Sequence, residues 1–312
     1  MVTFVDIKDA HERIKPFIHR TPVLTNRSLN GLTNANLYFK CENFQKAGSF
    51  KIRGATNAVM LLKDQDINRG IVTASSGNHG AALAKAVSRR RGSTKVVMPE
   101  NTPQIKVKNV LRNGGDIIWC EATQKSRDEI LQKVQNETGA ILIHPYNDEK
   151  IIAGQGTLAK ELLEDYPKLD MIVSPVSGGG LLAGTISSAK VMNPKICIYG
   201  AEPQEADDTY RSIFTGEIQS NKTTDTICDG LRAQIGSITF PIIKDKVDEV
   251  ITVSEEEIIV AMRMIWERLK IIVEPSCSIT LAAIIKRSDL FEDKNVGLIM
   301  SGGNVDLSKL PW

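Results

Sequence analysis

The stretch MIVSPVSGGGLLAGTISSAKV, residues Met171–Val191, joins a short apolar run to a glycine triplet and then to a longer apolar run. The residues from Met171 to Pro175 are typical of a buried strand, and those from Leu181 to Val191 are typical of a helix. Glycines let the backbone approach an anion closely, and a helix N-terminus offers free N–H groups. The loop from Ser177 to Leu181 is therefore suited to a phosphate. A tight structural turn is the alternative, and a Walker-type phosphate loop is excluded because Gly-Lys-Ser/Thr is missing.

The same alternation of strand and helix continues on both sides of this stretch. Strands are predicted at Asn36 to Cys41, Gly70 to Ala74, Lys95 to Met98, Asp116 to Cys120, Ala140 to Ile143, Met171 to Pro175, Ile196 to Gly200, Lys246 to Val253 and Val296 to Met300. Helices are predicted at Asp9 to Phe17, Ala55 to Leu62, His79 to Arg91, Gln104 to Arg112, Ser126 to Glu137, Leu158 to Leu163, Leu181 to Val191, Ser254 to about Lys270 and Ser278 to Lys286. Such βαβ units predict an α/β fold with mainly parallel sheets. The two series indicate two open twisted α/β domains with a ligand in the cleft between them.

Composition narrows the function. The 312 residues carry 39 basic and 37 acidic side chains, so the net charge of +2 favours neither nucleic acid nor an anionic membrane as partner. No apolar run approaches the ~18 residues that span a bilayer, and the first residues lack the features of a secretory signal. Five scattered cysteines without metal-ligand spacing suit a reducing cytosol. We expect a cytoplasmic protein.

Two further loops follow predicted strands and are expected to precede helices, where open α/β sheets bind ligands. Ser75-Ser76-Gly77-Asn78-His79-Gly80 offers hydroxyls, an amide and backbone N–H groups, which suit a carboxylate. Ser301-Gly302-Gly303-Asn304 follows the last strand. His79 is a candidate general base, although a histidine in such a loop is more often structural.

One glycine motif is interpreted as structural. Gly154-Gln155-Gly156-Thr157-Leu158-Ala159 matches a relaxed dinucleotide fingerprint. The preceding strand ends about ten residues too early for the tight turn that this fingerprint requires. We predict a closely packed helix start.

The segment Gly48-Ser49-Phe50-Lys51-Ile52-Arg53-Gly54 places one lysine between a predicted strand and a predicted helix. A lysine desolvated there would lose pKa and become a nucleophilic amine. An ordinary surface lysine is the alternative. A lysine together with a phosphate loop suits pyridoxal phosphate, whose aldehyde forms a Schiff base with lysine.

Five segments in fixed order carry a resemblance to a known family. They are Gly48 to Gly54, Ser75 to Gly80, Ser177 to Leu181, Ala201-Glu202-Pro203 with Ala206-Asp207-Asp208, and Ser301 to Asn304. From about Phe4 to Leu307 the chain resembles the serine/threonine dehydratase family of pyridoxal-phosphate enzymes, of the tryptophan-synthase-β fold type. It is most similar to the eukaryotic-type members that racemise serine. The resemblance implies a large cofactor-binding domain (residues 1–68 and 147–312) and a small mobile substrate-binding domain (69–146), with the cofactor in the cleft.

The resemblance also implies the cofactor contacts. Lys51 forms the internal Schiff base, Phe50 packs beside the ring, and Asn78 bonds the ring hydroxyl oxygen. The phosphate-binding residues are Ser177, Gly178, Gly179, Gly180 and Leu181. Ser301 faces the pyridine nitrogen, where a hydroxyl can donate to an unprotonated nitrogen. A neutral ring is a weaker electron sink, which favours concerted loss of a β-hydroxyl.

Ser76 decides between activities. Racemisation needs proton removal on one face of Cα and delivery on the other, and the resemblance assigns one face to Lys51 and the other to Ser76. Typical threonine dehydratases carry alanine at this position. Binding the substrate carboxylate is the alternative role of Ser76, and hydroxyaspartate dehydratases also carry Ser-Ser-Gly-Asn-His. A pure dehydratase for threo-3-hydroxyaspartate or threonine therefore remains a second hypothesis. A non-catalytic binding module is a third, against which the intact Lys51 argues.

The remaining contacts follow from the resemblance in the same way. Glu202, Asp208 and the carbonyl of Ala206 match a divalent-cation site, and oxygen ligands suit Mg²⁺ or Ca²⁺, with Mn²⁺ as a further choice. Helix capping by Asp207 and Asp208 is the alternative.

The resemblance assigns substrate contacts to the small domain. Ser75, Ser76, Gly77, Asn78 and His79 surround the substrate, and Arg127 approaches it on closure. Substrate choice stays open because Ala233 and the segment His144-Pro145-Tyr146-Asn147 depart from the animal form. Positions near Asn26 to Ser28 and Asn113 also depart from the animal nucleotide site, so ATP regulation is uncertain. A homodimer is implied.

Overall fold

Two mainly parallel sheets organise the chain. The structure is a computed structural model that describes residues 2–75 and 77–312. Among these residues the strands are β1 Val23–Leu24, β2 Asn36–Cys41, β3 Ile71–Ala74, β4 Thr94–Pro99, β5 Gly115–Cys120, β6 Ile141–Leu142, β7 Met171–Pro175, β8 Cys197–Pro203, β9 Glu249–Val253 and β10 Asn295–Met300. One sheet has the order β1-β2-β10-β7-β8-β9, and the other has the order β5-β4-β3-β6. Only the β1–β2 pairing is antiparallel among the described strand pairs. The predicted α/β fold with mainly parallel sheets is confirmed.

Helices connect the strands. They are α1 Phe4–Ile14, α2 Arg27–Thr33, α3 Lys51–Met60, α4 Asp64–Asn68, α5 Asn78–Ser88, α6 Gln104–Arg112, α7 Gln124–Thr138, α8 Glu149–Asp165, α9 Gly180–Met192, α10 Asp208–Thr215, α11 Thr239–Lys246, α12 Glu255–Met264, α13 Pro275–Lys286 and α14 Ser288–Phe291. The four-stranded sheet lies between residues 71 and 142, and the six-stranded sheet takes its strands from both sides of that segment.

Several predicted boundaries need correction. The strand predicted from Lys246 begins at Glu249, because residues 239–246 form α11, which periodicity did not reveal. The helix predicted from Ser254 to about Lys270 starts at a capping box formed by Ser254 and Glu257, but α12 ends at Met264 and a π-helical turn follows to Leu269. No helix follows Ser301–Asn304 among the described residues, so that loop ends a strand without starting a helix.

The glycines of the fingerprint-like motif lie inside α8 and not at its start. The helix begins much earlier, at Glu149, capped by the Asp148 side chain. A Cβ on Gly154 would lie 2.5 Å from the Gly54 Cα in α3, and a Cβ on Gly156 would lie 2.7 Å from the Gly184 carbonyl in α9. The close-packing interpretation is therefore correct, since these glycines let three helix backbones approach each other.

A buried ion network holds α3 in place. The Arg53 guanidinium donates to Glu42 of the turn after β2 and to Glu161 of α8, with four N···O distances of 2.8 Å. Lys40 of β2 donates to Glu161 at 2.7 Å. Burial opposes ionisation of Glu161, but Arg53 and Lys40 outweigh it and lower its pKa to about 2. The network fixes the helix that begins at Lys51.

Candidate active site

The carboxyl ends of β2, β10 and β7 meet at one edge of the six-stranded sheet, since these strands run parallel in adjacent positions. The Lys51 segment, the Ser301 loop and the glycine loop follow these three strands. Ligands bind at this edge in open α/β sheets. The sheet order thus collects three of the predicted loops.

The Lys51 segment and the Ser301 loop pair directly. The Phe50 amide donates to the Ser301 carbonyl at 3.0 Å, and the Gly303 amide donates to the Gly48 carbonyl at 3.0 Å. Ser49 and Gly302 form an antiparallel bridge between these two contacts. Ser301 is buried. The pairing fixes Ser301 next to the start of α3.

Lys51 is the first residue of α3, and its amine reaches the segment that follows β6. Its Nζ donates to the Pro145 carbonyl at 2.9 Å and lies 5.1 Å from the centre of the Phe50 ring. Burial disfavours the ammonium form and lowers the pKa of Lys51 to about 8. The amine is therefore available as a nucleophile near neutral pH, unlike an ordinary surface lysine.

The glycine loop begins α9 with a left-handed residue. Gly179 has φ +86° and is the N-cap of α9, which has no side-chain cap. The first N–H groups of a helix have no acceptor inside it. Ser177 exchanges two hydrogen bonds with the Ala233 backbone, at 3.1 and 3.3 Å, which fixes the loop. Leu181 is buried in the first turn.

Tyr146 lies against this loop. A Cβ on Gly178 would overlap the Tyr146 ring, and a Cβ on Gly180 would lie 3.0 Å from the Tyr146 Cβ. The Tyr146 and Asn147 amides donate to His144 Nδ1, at 3.3 and 2.9 Å. This segment, whose Pro145 accepts from Lys51, connects the lysine with the glycine loop.

In the loop before α5, the Ser75 side chain forms hydrogen bonds within the loop and with the first turn of the helix. The Ser75 hydroxyl accepts from the Gly77 and Gly80 amides at 3.2 and 3.1 Å. Gly77 has φ +152°, which favours glycine, and a Cβ there would lie 2.9 Å from the Lys106 Cβ. Ser76, the predicted second catalytic residue, lies outside the described residues.

Asn78 is held from both ends of its amide. Its Nδ2 donates to Glu274 at 2.7 Å, and its Oδ1 accepts from Asn304 Nδ2 at 2.9 Å. Asn304 also donates to the Ala47 carbonyl, just before the Lys51 segment. One Asn78 N–H remains for a ligand oxygen in the cleft.

His79 fits the structural alternative better than the base. It is buried, and burial together with the Lys51 charge lowers its pKa well below the usual value. A neutral imidazole with so low a pKa is a weak base.

Arg127 lies on α7, on the small-sheet side. Its Nε is buried and has no hydrogen-bond partner among the described residues. Burial is the main cause that raises the pKa of Tyr146, and the Arg127 charge acts against this rise. Arg127 is therefore within electrostatic reach of the cleft.

The predicted metal ligands Glu202 and Asp208 lie close together, where the end of β8 meets the start of α10. Glu202 ends β8 and accepts from the Thr209 and Tyr210 amides of α10, at 3.3 and 2.9 Å. Asp208 begins α10, and its Oδ2 accepts from the Ile235 amide at 2.7 Å. The Asp208 Oδ1 is buried without a partner among the described residues. Ala206, two positions earlier in the chain, is also buried.

Electrostatics at this pair favour a cation. Burial and then the Asp208 charge raise the pKa of Glu202 to about 8, and burial raises that of Asp208 to about 6. Two buried carboxylates with an unpartnered oxygen fit a divalent ion. The Asp207 side chain does not cap α10, contrary to the capping alternative. The Glu202 carboxylate instead accepts hydrogen bonds from the first amides of the helix. No group of three His, Cys, Asp or Glu side chains suits a metal within residues 2–75 and 77–312, so a cation held here would have only two carboxylates and backbone oxygen as protein ligands.

The residues fit pyridoxal phosphate. An uncapped helix N-terminus after three glycines suits a phosphate, and the nearby Lys51 amine suits an aldehyde. Three residues of the site went unrecognised in the sequence: Lys106, Asp229 and Glu274. They carry no local signal, because they lie far apart along the chain.

Comparisons with known proteins agree with this geometry. Residues 14–302 match the family model described as pyridoxal-phosphate dependent enzyme. The chain is 51% identical to a serine racemase of Arabidopsis thaliana, over 98% of this chain and 94% of that one. It is 48% identical to a beta-hydroxyaspartate dehydratase of Paracoccus denitrificans, over 99% of this chain and 98% of that one. The structure of maize serine racemase superposes with a TM-score of 0.96 at 47% identity, covering 98% of this chain and 95% of that one.

Proposed function

The chain belongs to the family of pyridoxal-phosphate dependent enzymes, and we propose that it interconverts L- and D-serine and also dehydrates serine to pyruvate and ammonia. The observation that carries the proposal is the Lys51 amine, whose pKa is about 8 and which donates to the Pro145 carbonyl, next to the Tyr146 ring that packs on the uncapped glycine loop. Similarity to serine racemases over nearly the whole chain supports the substrate. Among residues 2–75 and 77–312, no helix is long and apolar enough to cross a membrane.

The side chains have distinct roles in this proposal. Bound at Lys51, pyridoxal phosphate would supply an electron sink for the α-carbon of an amino acid. The N–H groups from Ser177 to Leu181 would hold the phosphate, and Phe50 would pack beside the ring. Asn78 would donate to the ring hydroxyl oxygen, and Ser301 to the ring nitrogen.

Two residues handle the proton at the α-carbon. Lys51 serves one face and Ser76 serves the opposite face, which gives inversion. The loop from Ser75 to His79 binds the substrate carboxylate, and Arg127 approaches from the small-sheet side. Loss of the β-hydroxyl from the same bound substrate gives dehydration.

Further features belong to the same proposal. Residues 1–68 and 147–312 form the large domain, and residues 69–146 form the small mobile one, which agrees with the division of the two sheets. Glu202, Ala206 and Asp208 bind Mg²⁺, Ca²⁺ or Mn²⁺. The enzyme is a cytoplasmic homodimer, and five free cysteines suit that compartment. A binding assay with ATP tests whether the nucleotide regulates the enzyme.

The test is incubation of the purified protein with L-serine in D₂O. We expect D-serine to form, with deuterium at Cα of the recovered serine. Absence of both would overturn racemisation. Turnover of L-threo-3-hydroxyaspartate without D-serine would instead favour the dehydratase function that the Paracoccus relative is named for.

Ser76→Ala separates the two activities. It should abolish racemisation and spare elimination from L-serine, whereas the exposed Ser88→Ala control, at the far end of α5, should leave both unchanged. Interconversion of the enantiomers at the original rate in Ser76→Ala would refute the two-face assignment.

A further inference from the structure

A buried cation joins the two sheets at the cleft. Lys106 lies on α6, beside the four-stranded sheet, whereas Asp229 and Glu274 belong to the segment that builds the six-stranded sheet. The Lys106 Nζ lies 2.7 Å from an Asp229 oxygen and 3.3 Å from Glu274 Oε2. The side chains of Lys106 and Glu274 are 5% and 3% exposed. Water therefore screens this triad poorly.

Gly77 makes room for the lysine. The Lys106 Cβ and Cγ lie 2.9 and 3.0 Å from the position of a Cβ on Gly77. The aliphatic part of Lys106 thus runs directly against the loop that precedes α5. A movement of this side chain would therefore displace the loop backbone directly, without any intermediate residue.

The charges depend on one another. Burial disfavours the Lys106 ammonium, but Glu274 and Asp229 outweigh it and raise the pKa of Lys106. Burial raises the pKa of Glu274, and the Lys106 charge acts against that rise. Removing the lysine would leave the buried Glu274 carboxylate without its cation and close to the partly buried Asp229 carboxylate, which is 19% exposed. Proton uptake by Glu274 would relieve the repulsion.

Glu274 connects the triad to the cofactor residue. Its other oxygen, Oε1, accepts from Asn78 Nδ2 at 2.7 Å. An ionised carboxylate only accepts, so it selects the amide orientation in which Nδ2 faces Glu274. Asn304 selects the same orientation, because its Nδ2 donates to Asn78 Oδ1.

We propose that Lys106 is a positioning residue that holds the small-sheet unit (residues 69–146) against the large-sheet unit (residues 1–68 and 147–312) through Asp229 and Glu274. This contact, the latch, thereby fixes the loop before α5 and the Asn78 amide. The latch itself does not depend on the reaction. Its effect on cofactor binding rests on the proposed function, through the role of Asn78.

The location separates this role from ordinary core stabilisation. The Arg53 network lies within the large-sheet unit, so its loss should destabilise the fold. The Lys106 triad joins elements of both sheets, so its loss should open the cleft while each sheet keeps its own core. Amide exchange at α5 therefore reports on the contact between the two sheets, whereas the global free energy of unfolding reports on the cores.

The experiment compares hydrogen exchange in cofactor-free full-length variants. Lys106→Met keeps the aliphatic stem and removes the charge, Lys106→Arg restores a cation, and Lys133→Met removes an exposed lysine of α7 as the matched control. In Lys106→Met we expect amide exchange in residues 77–82 to become at least ~10-fold faster, with α8 and α9 unchanged. Pyridoxal phosphate should bind at least ~10-fold more weakly, and Lys106→Arg should recover most of both.

Exchange in residues 77–82 that matches the Lys133→Met control would overturn the latch. Should Lys106→Met not fold, Asp229→Asn decides, since it keeps the Lys106–Glu274 pair. It should speed the same exchange by a smaller factor, and wild-type exchange there would also overturn the latch. Because exchange is measured without cofactor, failure of the proposed racemase activity leaves this test intact.

Discussion

The Asn78 Nδ2 atom lies 2.7 Å from Glu274 Oε1, although the two residues are 196 positions apart in the chain. The contact crosses from the first turn of α5 to the residue before α13. It is the point at which the small-sheet unit orients a predicted cofactor contact against the large-sheet unit.

Asn78→Asp should weaken pyridoxal-phosphate binding by at least ~10-fold. The change places a second carboxylate against Glu274 in a buried site, where like charges repel strongly. It also removes the second N–H of the amide, which in the proposed function would donate to the cofactor. Titration of the cofactor-free protein, followed by absorbance, measures the affinity. The exposed Asn136→Asp, on α7, is the control and should bind normally.

Gly178→Ala should weaken cofactor binding because the new methyl group overlaps the Tyr146 ring. The backbone of Gly178 does not have positive φ, so the obstacle is the ring alone. Gly178→Ala combined with Tyr146→Ala should therefore recover much of the affinity.

Gly179→Ala is the matched comparison for this rescue. Gly179 has φ +86°, a conformation that costs a non-glycine residue ~1–2 kcal/mol. A Cβ there would also lie 2.7 Å from the Thr239 hydroxyl. Tyr146→Ala should not rescue it, and equal rescue of both variants would contradict the assigned cause.

Lys51→Met should stabilise the cofactor-free protein at pH 7. The pKa of Lys51 falls from 10.5 to about 8 on folding, so the partly buried, desolvated ammonium destabilises the native state fully below about pH 8. The penalty declines between about pH 8 and 10.5 and is absent above. The gain in unfolding free energy should be at most ~3 kcal/mol and should vanish near pH 10.5. Denaturant unfolding measures it, with exposed Lys222→Met as a control that should show no such pH dependence.

Glu161→Gln should destabilise the protein by ~3–5 kcal/mol, because it leaves Arg53 and Lys40 buried with incomplete compensation. The pKa of Glu161 is lowered from 4.5 to about 2, so its stabilisation is present above about pH 4.5. That contribution is lost as the pH falls towards 2, and the variant should lack this acid-dependent step. Glu164→Gln, at a more exposed pair on the same helix, should cost under ~1 kcal/mol.

Mg²⁺ or Ca²⁺ should raise the melting temperature of the protein by binding at Glu202 and Asp208. An ion that binds only the folded state stabilises it by mass action. Glu202→Gln should remove the response, and the exposed Glu205→Gln should keep it. An equal shift in wild type and Glu202→Gln would exclude this site.

Local sequence signals predicted the fold and the first layer of the site. Strand and helix alternation is set by side-chain periodicity, so Asn36–Cys41, Gln104–Arg112 and Met171–Pro175 have the predicted bounds. The glycine loop directly follows β7, and Lys51 follows β2 after two short 3₁₀ turns, on the side of the sheet where parallel strands bind ligands. The helix Thr239–Lys246 escaped prediction because a short helix with mixed residues has little periodicity.

The sequence by itself determined the α/β class, the family and the residue types that meet a cofactor, because these are written in short motifs with local physical meaning. Only the tertiary structure decided that Asn78 meets Glu274, that Tyr146 covers the glycine loop, and that Lys106 joins two carboxylates across the cleft. The physical reason is that such contacts arise where distant segments pack together. A charge or an aromatic ring carries no mark in the sequence of the partner that it will meet.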